Sequence, residues 1–249
     1  MASYRKKRKR RFNKSKFVIN LFLMLLLVSI VFVSGKLIIK MTYAALETIG
    51  NADESDDFLI LVNREHNISE DYIPDDLTEV NIRFAVGTER EQKMMKAVAA
   101  KALEELFKEA EKENIILYGV SGYRSYEYQK QLYERKVKAV GKEEADKYVA
   151  APGQSEHHTG LAMDVMNESA VSVLTESFAE TREGKWLAEN AHRFGFIIRY
   201  PKGKESITGY NYEPWHIRYV GVEAATEIKT RGIVLEEYLQ GISDNAYND

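Results

Sequence analysis

The sequence predicts an α+β domain, with a small mixed or antiparallel sheet and flanking helices, preceded by an N-terminal transmembrane helix. Segments with the helical spacing of apolar residues alternate with short strand-like segments along most of the chain. The 249 residues are 45% hydrophobic, which allows one domain of good size with appendages. The chain has no cysteine, which excludes a disulfide scaffold, a thiolate-based metal site and a cysteine nucleophile.

The charge of the chain is divided unevenly. Residues 1–16 carry nine Lys and Arg residues and no acid, so with a formal charge of −3 for the whole chain the remainder carries −12. Nucleic-acid binding needs a basic footprint on the folded domain, which an acidic domain does not supply. We therefore predict no nucleic-acid partner and interpret residues 1–16 as a cytoplasmic basic tail.

An uncharged stretch, Phe17–Val33, follows the basic tail directly. About 17–25 apolar residues in a helix are enough to cross the hydrocarbon core of a bilayer. Cations on the N-terminal side predict that this end stays in the cytoplasm and that the rest is exported. We predict an uncleaved transmembrane signal anchor over 17–39, which places the protein in the cell membrane with an extracellular domain. A cleaved signal peptide is the main alternative, although the residues after Val33 form a poor cleavage site; a buried soluble-core helix is a weaker one.

The remaining chain divides where its composition changes. Residues 40–57 contain an acidic run, and we interpret them as a stalk that holds the domain away from the membrane. The domain itself is predicted over 58–235. Residues 236–249 are predicted to form a polar C-terminal tail.

The elements of the domain follow from periodicity and capping residues. Apolar residues recur at helical spacing through 89–113, which is typical of an amphipathic helix. Ser125 is a candidate N-cap for a second helix that ends near Lys138. Further helices are predicted over 142–150, 176–194 and 222–231. Strands are predicted over 58–63, 115–120, 160–166, 196–200 and 215–220.

Two of the five histidines lie in segments that do not resemble an ordinary core. His157 belongs to a polar segment that ends at Asp164, and His216 follows Glu213 at the start of a predicted strand. Two imidazoles and one carboxylate suit a catalytic zinc ion, which commonly keeps three protein ligands and leaves one position for water. Glu213 could serve as general base if the Pro214 segment is kinked or helical. The residues alone leave a second interpretation open, in which the histidines hydrogen-bond loops and Asp164 caps a turn.

The order and spacing of these residues resemble those of a known family. The zinc D-alanyl-D-alanine carboxypeptidases of the VanY type, and the related peptidoglycan L,D-carboxypeptidases, have a similar paired signature. In this chain it reads Ser155-x-His157-x-x-Gly160-x-Ala162-x-Asp164, followed by Glu213-Pro214-Trp215-His216. The resemblance continues upstream in Ser121–Ser125 and in Tyr128-Gln129, and it covers residues 58–235.

The resemblance implies a metal site. His157, Asp164 and His216 would be ligands of Zn²⁺, and Glu213 would be the catalytic base. His158 lies next to a ligand, but neighbours in an extended segment point in opposite directions, so we expect it to be exposed or to make an outer contact.

The resemblance also implies a substrate and a reaction. Arg124 would polarise the scissile carbonyl and stabilise the developing oxyanion, while Ser155 and Gln129 would hydrogen-bond the peptide and its terminal carboxylate. The implied activity is that of a D,D-carboxypeptidase that removes the C-terminal D-alanine from peptidoglycan stem peptides. The alternatives are an L,D-carboxypeptidase acting on tetrapeptide stems, a peptidoglycan endopeptidase, and a non-catalytic cell-wall-binding module.

Overall fold

The computed structural model describes residues 58–168 and 174–246, with side chains as far as 244. The basic tail over 1–16, the anchor over 17–39 and the stalk over 40–57 lie outside the described residues, and they remain predictions. Within the described ranges, no helix combines the length and the apolar character that a membrane crossing requires.

Strands and helices alternate along the domain. The strands are β1 (Leu77–Glu79), β2 (Met94–Lys96), β3 (Tyr118–Ser121), β4 (Ala162–Met166), β5 (Phe196–Tyr200) and β6 (Glu213–Tyr219). The α-helices are α1 (Ala97–Lys112), α2 (Tyr126–Val140), α3 (Lys142–Ala145), α4 (Arg182–Asn190), α5 (Glu205–Thr208), α6 (Val222–Arg231) and α7 (Leu235–Ala246). Short 3₁₀ turns occupy Glu91–Lys93, Glu156–Thr159, Glu176–Glu180 and Ala191–Phe194.

The strands form two small sheets. β1 and β2 pair in one, and the other has the strand order β3-β4-β6-β5. Neighbouring strands are antiparallel in both sheets. The predicted α+β class, with a small antiparallel sheet and flanking helices, is therefore confirmed. β4 and β6 are the two central strands, and they carry Asp164 and His216, two of the metal-site candidates.

Two hydrophobic clusters hold the helices on the sheet. In the larger one, Leu103 and Leu106 of α1 share a core with Met163 of β4 and Ile217 of β6. The smaller one joins β5 to α6 and α7. The central strands are thus packed against α1 on one face, so the side chains of the opposite face have a defined position.

Two segments at the start of the domain differ from the prediction. Residues 58–63 do not form a strand, because the carbonyl groups of Phe58 and Ile60 accept hydrogen bonds from the guanidinium of Arg218 instead of from a neighbouring strand. The helix predicted from residue 89 begins only at Ala97, because Met94–Lys96 pairs with β1.

The C-terminal segment is also more ordered than predicted. The prediction of a polar tail over 236–249 is wrong as far as Ala246, because these residues belong to α7. Leu235 is fully buried in the smaller cluster, and Tyr238 packs beside it. The carboxylate of Glu236 lies 2.6 Å from the guanidinium of Arg199. The many polar residues of this segment conceal an apolar face with helical spacing.

Candidate active site and metal centre

Asp164 and His216 meet because they lie on adjacent central strands. They are 52 residues apart in sequence, but the register of β4 and β6 makes them direct partners. Residues opposite each other in an antiparallel pair project to the same face of the sheet. Oδ1 of Asp164 accordingly lies 3.1 Å from Nδ1 of His216.

His157 reaches the same point from the 3₁₀ turn that precedes β4. The turn ends at Gly160, whose φ of +68° lies in the left-handed region that favours glycine. Nδ1 of His157 donates a hydrogen bond to the carbonyl of Gly122 at 2.7 Å. That bond leaves Nε2 to face Asp164, whose Oδ2 lies 3.4 Å away.

These three side chains form a compact donor set that fits zinc. His157, Asp164 and His216 each offer one ligand atom, and these atoms all lie within 4.8 Å of one another. All three residues are buried. Two imidazoles and one carboxylate are a common ligand set of catalytic zinc. The bond from the outer nitrogen of His157 to a backbone carbonyl is the kind of contact that orients a metal-ligating imidazole.

Burial and nearby charges determine the protonation of the donor set. Burial lowers the pKa of His157 to about 4, and the charge of Arg124 acts in the same direction. Burial also disfavours a charged His216, but hydrogen bonds with Asp164 and Glu156 outweigh this effect and raise its pKa to about 9. Burial opposes ionisation of Asp164 as well, yet His157 and Arg124 keep its pKa well below the usual range. Because an imidazole ligand must be neutral, zinc binding competes with the proton on His216.

Glu213 is the first residue of β6, and an irregularity in that strand directs it to the metal cluster. Ile198 pairs with Ile217, whereas Tyr200 pairs with Glu213, so β6 has a bulge opposite β5. Residues three apart in a regular strand point to opposite faces. With the bulge, Oε2 of Glu213 lies 4.0 Å from Nδ1 of His216. A bulged strand, and not a helical turn around Pro214, brings Glu213 to the site.

Glu213 has the properties of a proton carrier. Its carboxylate is largely buried, and burial raises its pKa to about 8 against the opposing charge of His216. A group that accepts and returns a proton works best when its pKa lies near the working pH. The geometry thus supports Glu213 as a general base beside the metal ligands.

Arg124 lies in the loop after β3, with its guanidinium against the cluster. Nη2 donates to Oδ2 of Asp164 at 2.7 Å, and Nε donates to Oγ of Ser121 at 2.8 Å. The backbone N–H of Arg124 donates to the carbonyl of His157 at 3.2 Å. A cation is therefore fixed next to the ligands, where it could stabilise a developing oxyanion. Its contact with a substrate remains a prediction.

Ser155 and Gln129 also lie at the site. Both are buried, and both line the cavity above the cluster. The amide of Gln129 donates to the carbonyl of Ala150 at 2.8 Å, and its Oε1 lies 3.5 Å from Nη1 of Arg124. These contacts give Gln129 a role in holding the loop and the guanidinium, and substrate binding by either residue remains a prediction.

A cavity of about 600 Å³ opens over the cluster. Tyr200, Tyr210 and Trp215 line it together with the metal-site residues. The ring of Tyr200 lies 4.9 Å from that of His216 and 4.8 Å from that of Tyr210, measured between centroids. Pockets of this size accommodate small-molecule ligands and short peptide ends.

His158 makes an outer contact, as expected, but it is not exposed. Its Nδ1 donates to the carbonyl of Arg124 at 2.8 Å, and its Nε2 accepts from the N–H of Gly153 at 3.2 Å. The residue lies in the 3₁₀ turn and not in an extended segment, so its ring packs inside the loop that supports the site.

Glu156, the neighbour of His157, is a site residue that was not predicted from the sequence. Its carboxylate is completely buried between Arg199, Arg218 and His216. Burial opposes its ionisation, but the two arginines hold its pKa far below the usual range. The available signal was an arginine within each of two predicted strands, Arg199 and Arg218, because a buried arginine needs a carboxylate partner.

Comparison with known proteins identifies the family. The profile described as VanY, D-alanyl-D-alanine carboxypeptidase, matches residues 92–222, which is more than half of the chain. The chain belongs to the VanY family. The putative carboxypeptidase YodJ of Bacillus subtilis is 44% identical over 197 residues, covering 79% of this chain and 71% of its own length. The D-alanyl-D-alanine carboxypeptidase of Enterococcus faecalis is 40% identical over 196 residues, covering 75% and 67%.

Solved structures agree with the VanY assignment. The LdcB LD-carboxypeptidase aligns with a TM-score of 0.68 and 45% identity, over 72% of this chain and 84% of its own. The vancomycin-resistance D,D-pentapeptidase VanY, in a variant complexed with Zn(II), aligns with a TM-score of 0.59 and 38% identity, over 74% and 99%. The solved structures similar to this chain thus include both a D,D-pentapeptidase and an LD-carboxypeptidase.

Proposed function

We propose that this protein is a zinc-dependent D,D-carboxypeptidase that removes the C-terminal D-alanine from peptidoglycan stem peptides. The observation that carries this conclusion is the buried set of His157, Asp164 and His216, with Glu213 beside it at the base of an open cavity. The VanY relative complexed with Zn(II) supports the metal. The D-alanyl-D-alanine carboxypeptidase of E. faecalis supports the reaction.

Each residue of the site has a separate role in the proposed hydrolysis of the peptide bond. When bound, zinc lowers the pKa of water and polarises a carbonyl group. Glu213 accepts the proton of the attacking water and delivers it to the leaving amine. Arg124, already fixed against Asp164, stabilises the negative charge that develops on the scissile carbonyl oxygen. Ser155 and Gln129, at the cavity wall, hydrogen-bond the peptide end.

One structural neighbour indicates a second peptide bond that this site could cleave. The LdcB neighbour is an LD-carboxypeptidase, and the chemistry of the donor set does not depend on the stereochemistry of the bond. An L,D-carboxypeptidase that acts on tetrapeptide stems is therefore the second candidate. The cavity walls, not the metal ligands, determine which peptide end is accepted.

Product analysis by mass spectrometry separates these candidates. We expect the purified protein to release one D-alanine from a pentapeptide stem, to leave a tetrapeptide stem intact, and to stop after chelation. Release of D-alanine from the tetrapeptide would establish the L,D reaction instead. Chelator-resistant cleavage, or no cleavage by a protein shown to hold zinc, would contradict the zinc carboxypeptidase.

We further propose that the domain acts outside the cell, held at the membrane by the segment over 17–39. The uncharged stretch Phe17–Val33 after nine cations supports this location, as does a substrate that belongs to the cell wall. Protease added to intact wall-stripped cells should degrade the domain. Protection of the domain until the membrane is permeabilised would contradict an extracellular location.

A further inference from the structure

Glu156 is a fully buried carboxylate that contacts the imidazole of His216 at the ring nitrogen that points away from Asp164. Its Oε2 lies 3.3 Å from Nε2 of His216, and its Oε1 accepts hydrogen bonds from Arg199 and Arg218, each at 2.6 Å. It also lies directly before His157 in the 3₁₀ turn. One residue therefore connects the turn that carries one proposed ligand with the imidazole of another.

The two nitrogens of His216 face different partners. Nε2 faces Glu156, whereas Nδ1 faces Oδ1 of Asp164 at 3.1 Å and Oε2 of Glu213 at 4.0 Å. A carboxylate at one ring nitrogen holds the N–H there and leaves the lone pair of the other nitrogen free for a metal. We infer that Glu156 is a positioning residue, which holds Nε2–H of His216 and thereby presents Nδ1 as the metal-binding atom. This inference rests on the zinc site of the proposed function.

The carboxylate of Glu156 is itself fixed in place. Arg199 is fully buried and binds a second carboxylate, that of Glu236 on α7, at 2.6 and 2.9 Å. Arg218 is also fully buried and donates to the carbonyls of Phe58 and Ile60. Breaking a buried ion network by removing one partner is costly, so the arginines hold Glu156 in a single position. The position of His216 then depends on a network that includes the first residues of the domain, through Arg218, and α7, through Arg199.

Glu236 provides a matched control for this role. Both Glu156 and Glu236 bind Arg199, but His216 contacts Glu156. Glu236→Gln therefore changes a carboxylate that binds Arg199 but does not contact His216. A merely structural role for Glu156 predicts similar effects of the two substitutions on zinc binding, whereas a positioning role predicts different ones.

The test measures zinc affinity and the ligating atom in the full-length protein. We expect Glu156→Gln to weaken zinc binding about 10–100-fold, measured by competition with a chromogenic chelator, and Glu236→Gln to stay within about threefold of wild type. In the wild-type protein loaded with ¹¹³Cd and labelled with ¹⁵N-histidine, we expect metal–nitrogen coupling to Nδ1 of His216. The Nε2–H proton should be visible and shifted downfield by its hydrogen bond.

The outcomes separate this inference from the zinc site itself. Coupling through Nε2 of His216, or wild-type zinc affinity in Glu156→Gln, would overturn the role of Glu156 and leave the zinc site standing. Absence of coupling to both His157 and His216 would overturn the zinc site and this inference with it. If Glu156→Gln does not fold, the wild-type cadmium spectrum still decides, because it requires no substitution.

Discussion

Glu213→Gln is expected to lower kcat by roughly 100- to 10,000-fold, the range that general acid–base groups contribute. The amide keeps the shape of the side chain but cannot accept a proton from water or return one to the leaving amine. Glu213 is not among the three donors of the metal site, so the variant should still bind one zinc per chain. The measurement is D-alanine release from a pentapeptide stem, with zinc determined on the same sample.

A matched control for this substitution is Glu176→Gln. Glu176 is an exposed acid that lines the same cavity but does not belong to the metal cluster. We expect this variant to keep most of the activity. If Glu213→Gln retained wild-type turnover, or if it lost zinc together with activity, the assignment of Glu213 as the base would be wrong.

His216→Ala is expected to abolish zinc binding at micromolar metal and, with it, activity. Removal of one ligand from a three-residue site should weaken zinc by more than the roughly 10–100-fold that loss of an outer contact costs. Nδ1 of His216 faces the carboxylates of Asp164 and Glu213, and an alanine has no nitrogen to replace it. Metal content after dialysis is the measurement.

The control for the second substitution is His66→Ala. His66 is exposed, and its Nδ1 lies 3.1 Å from the side-chain oxygen of Asn63, away from the cluster. This variant should keep its zinc. Stoichiometric zinc in His216→Ala would show that the ligand set is wrong.

The sequence was sufficient to predict the residues that meet at the site. The spacing of His157, Asp164 and His216 matches that of the VanY-type signature. The register of β4 and β6 then places Asp164 opposite His216. The antiparallel sheet with flanking helices could likewise be predicted, because the strands are short and apolar and the helices amphipathic.

The supporting structure could not be predicted in the same way. The bulge that directs Glu213 to His216 depends on how β6 pairs with β5, and pairing across a long interval leaves no local signal. The network around Glu156 joins residues from the 3₁₀ turn, β5, β6 and α7, which are far apart in the chain. The helix α7 was mistaken for a tail because its charged residues outnumber the apolar ones that it buries.

The most direct test of the zinc carboxypeptidase is to measure zinc per chain and D-alanine release together in the wild type, Glu213→Gln and His216→Ala. We predict one zinc and full release for the wild type. Glu213→Gln should hold one zinc without release, and His216→Ala should lack both. Release by a zinc-free His216→Ala protein, or by Glu213→Gln at the wild-type rate, would contradict the proposed mechanism.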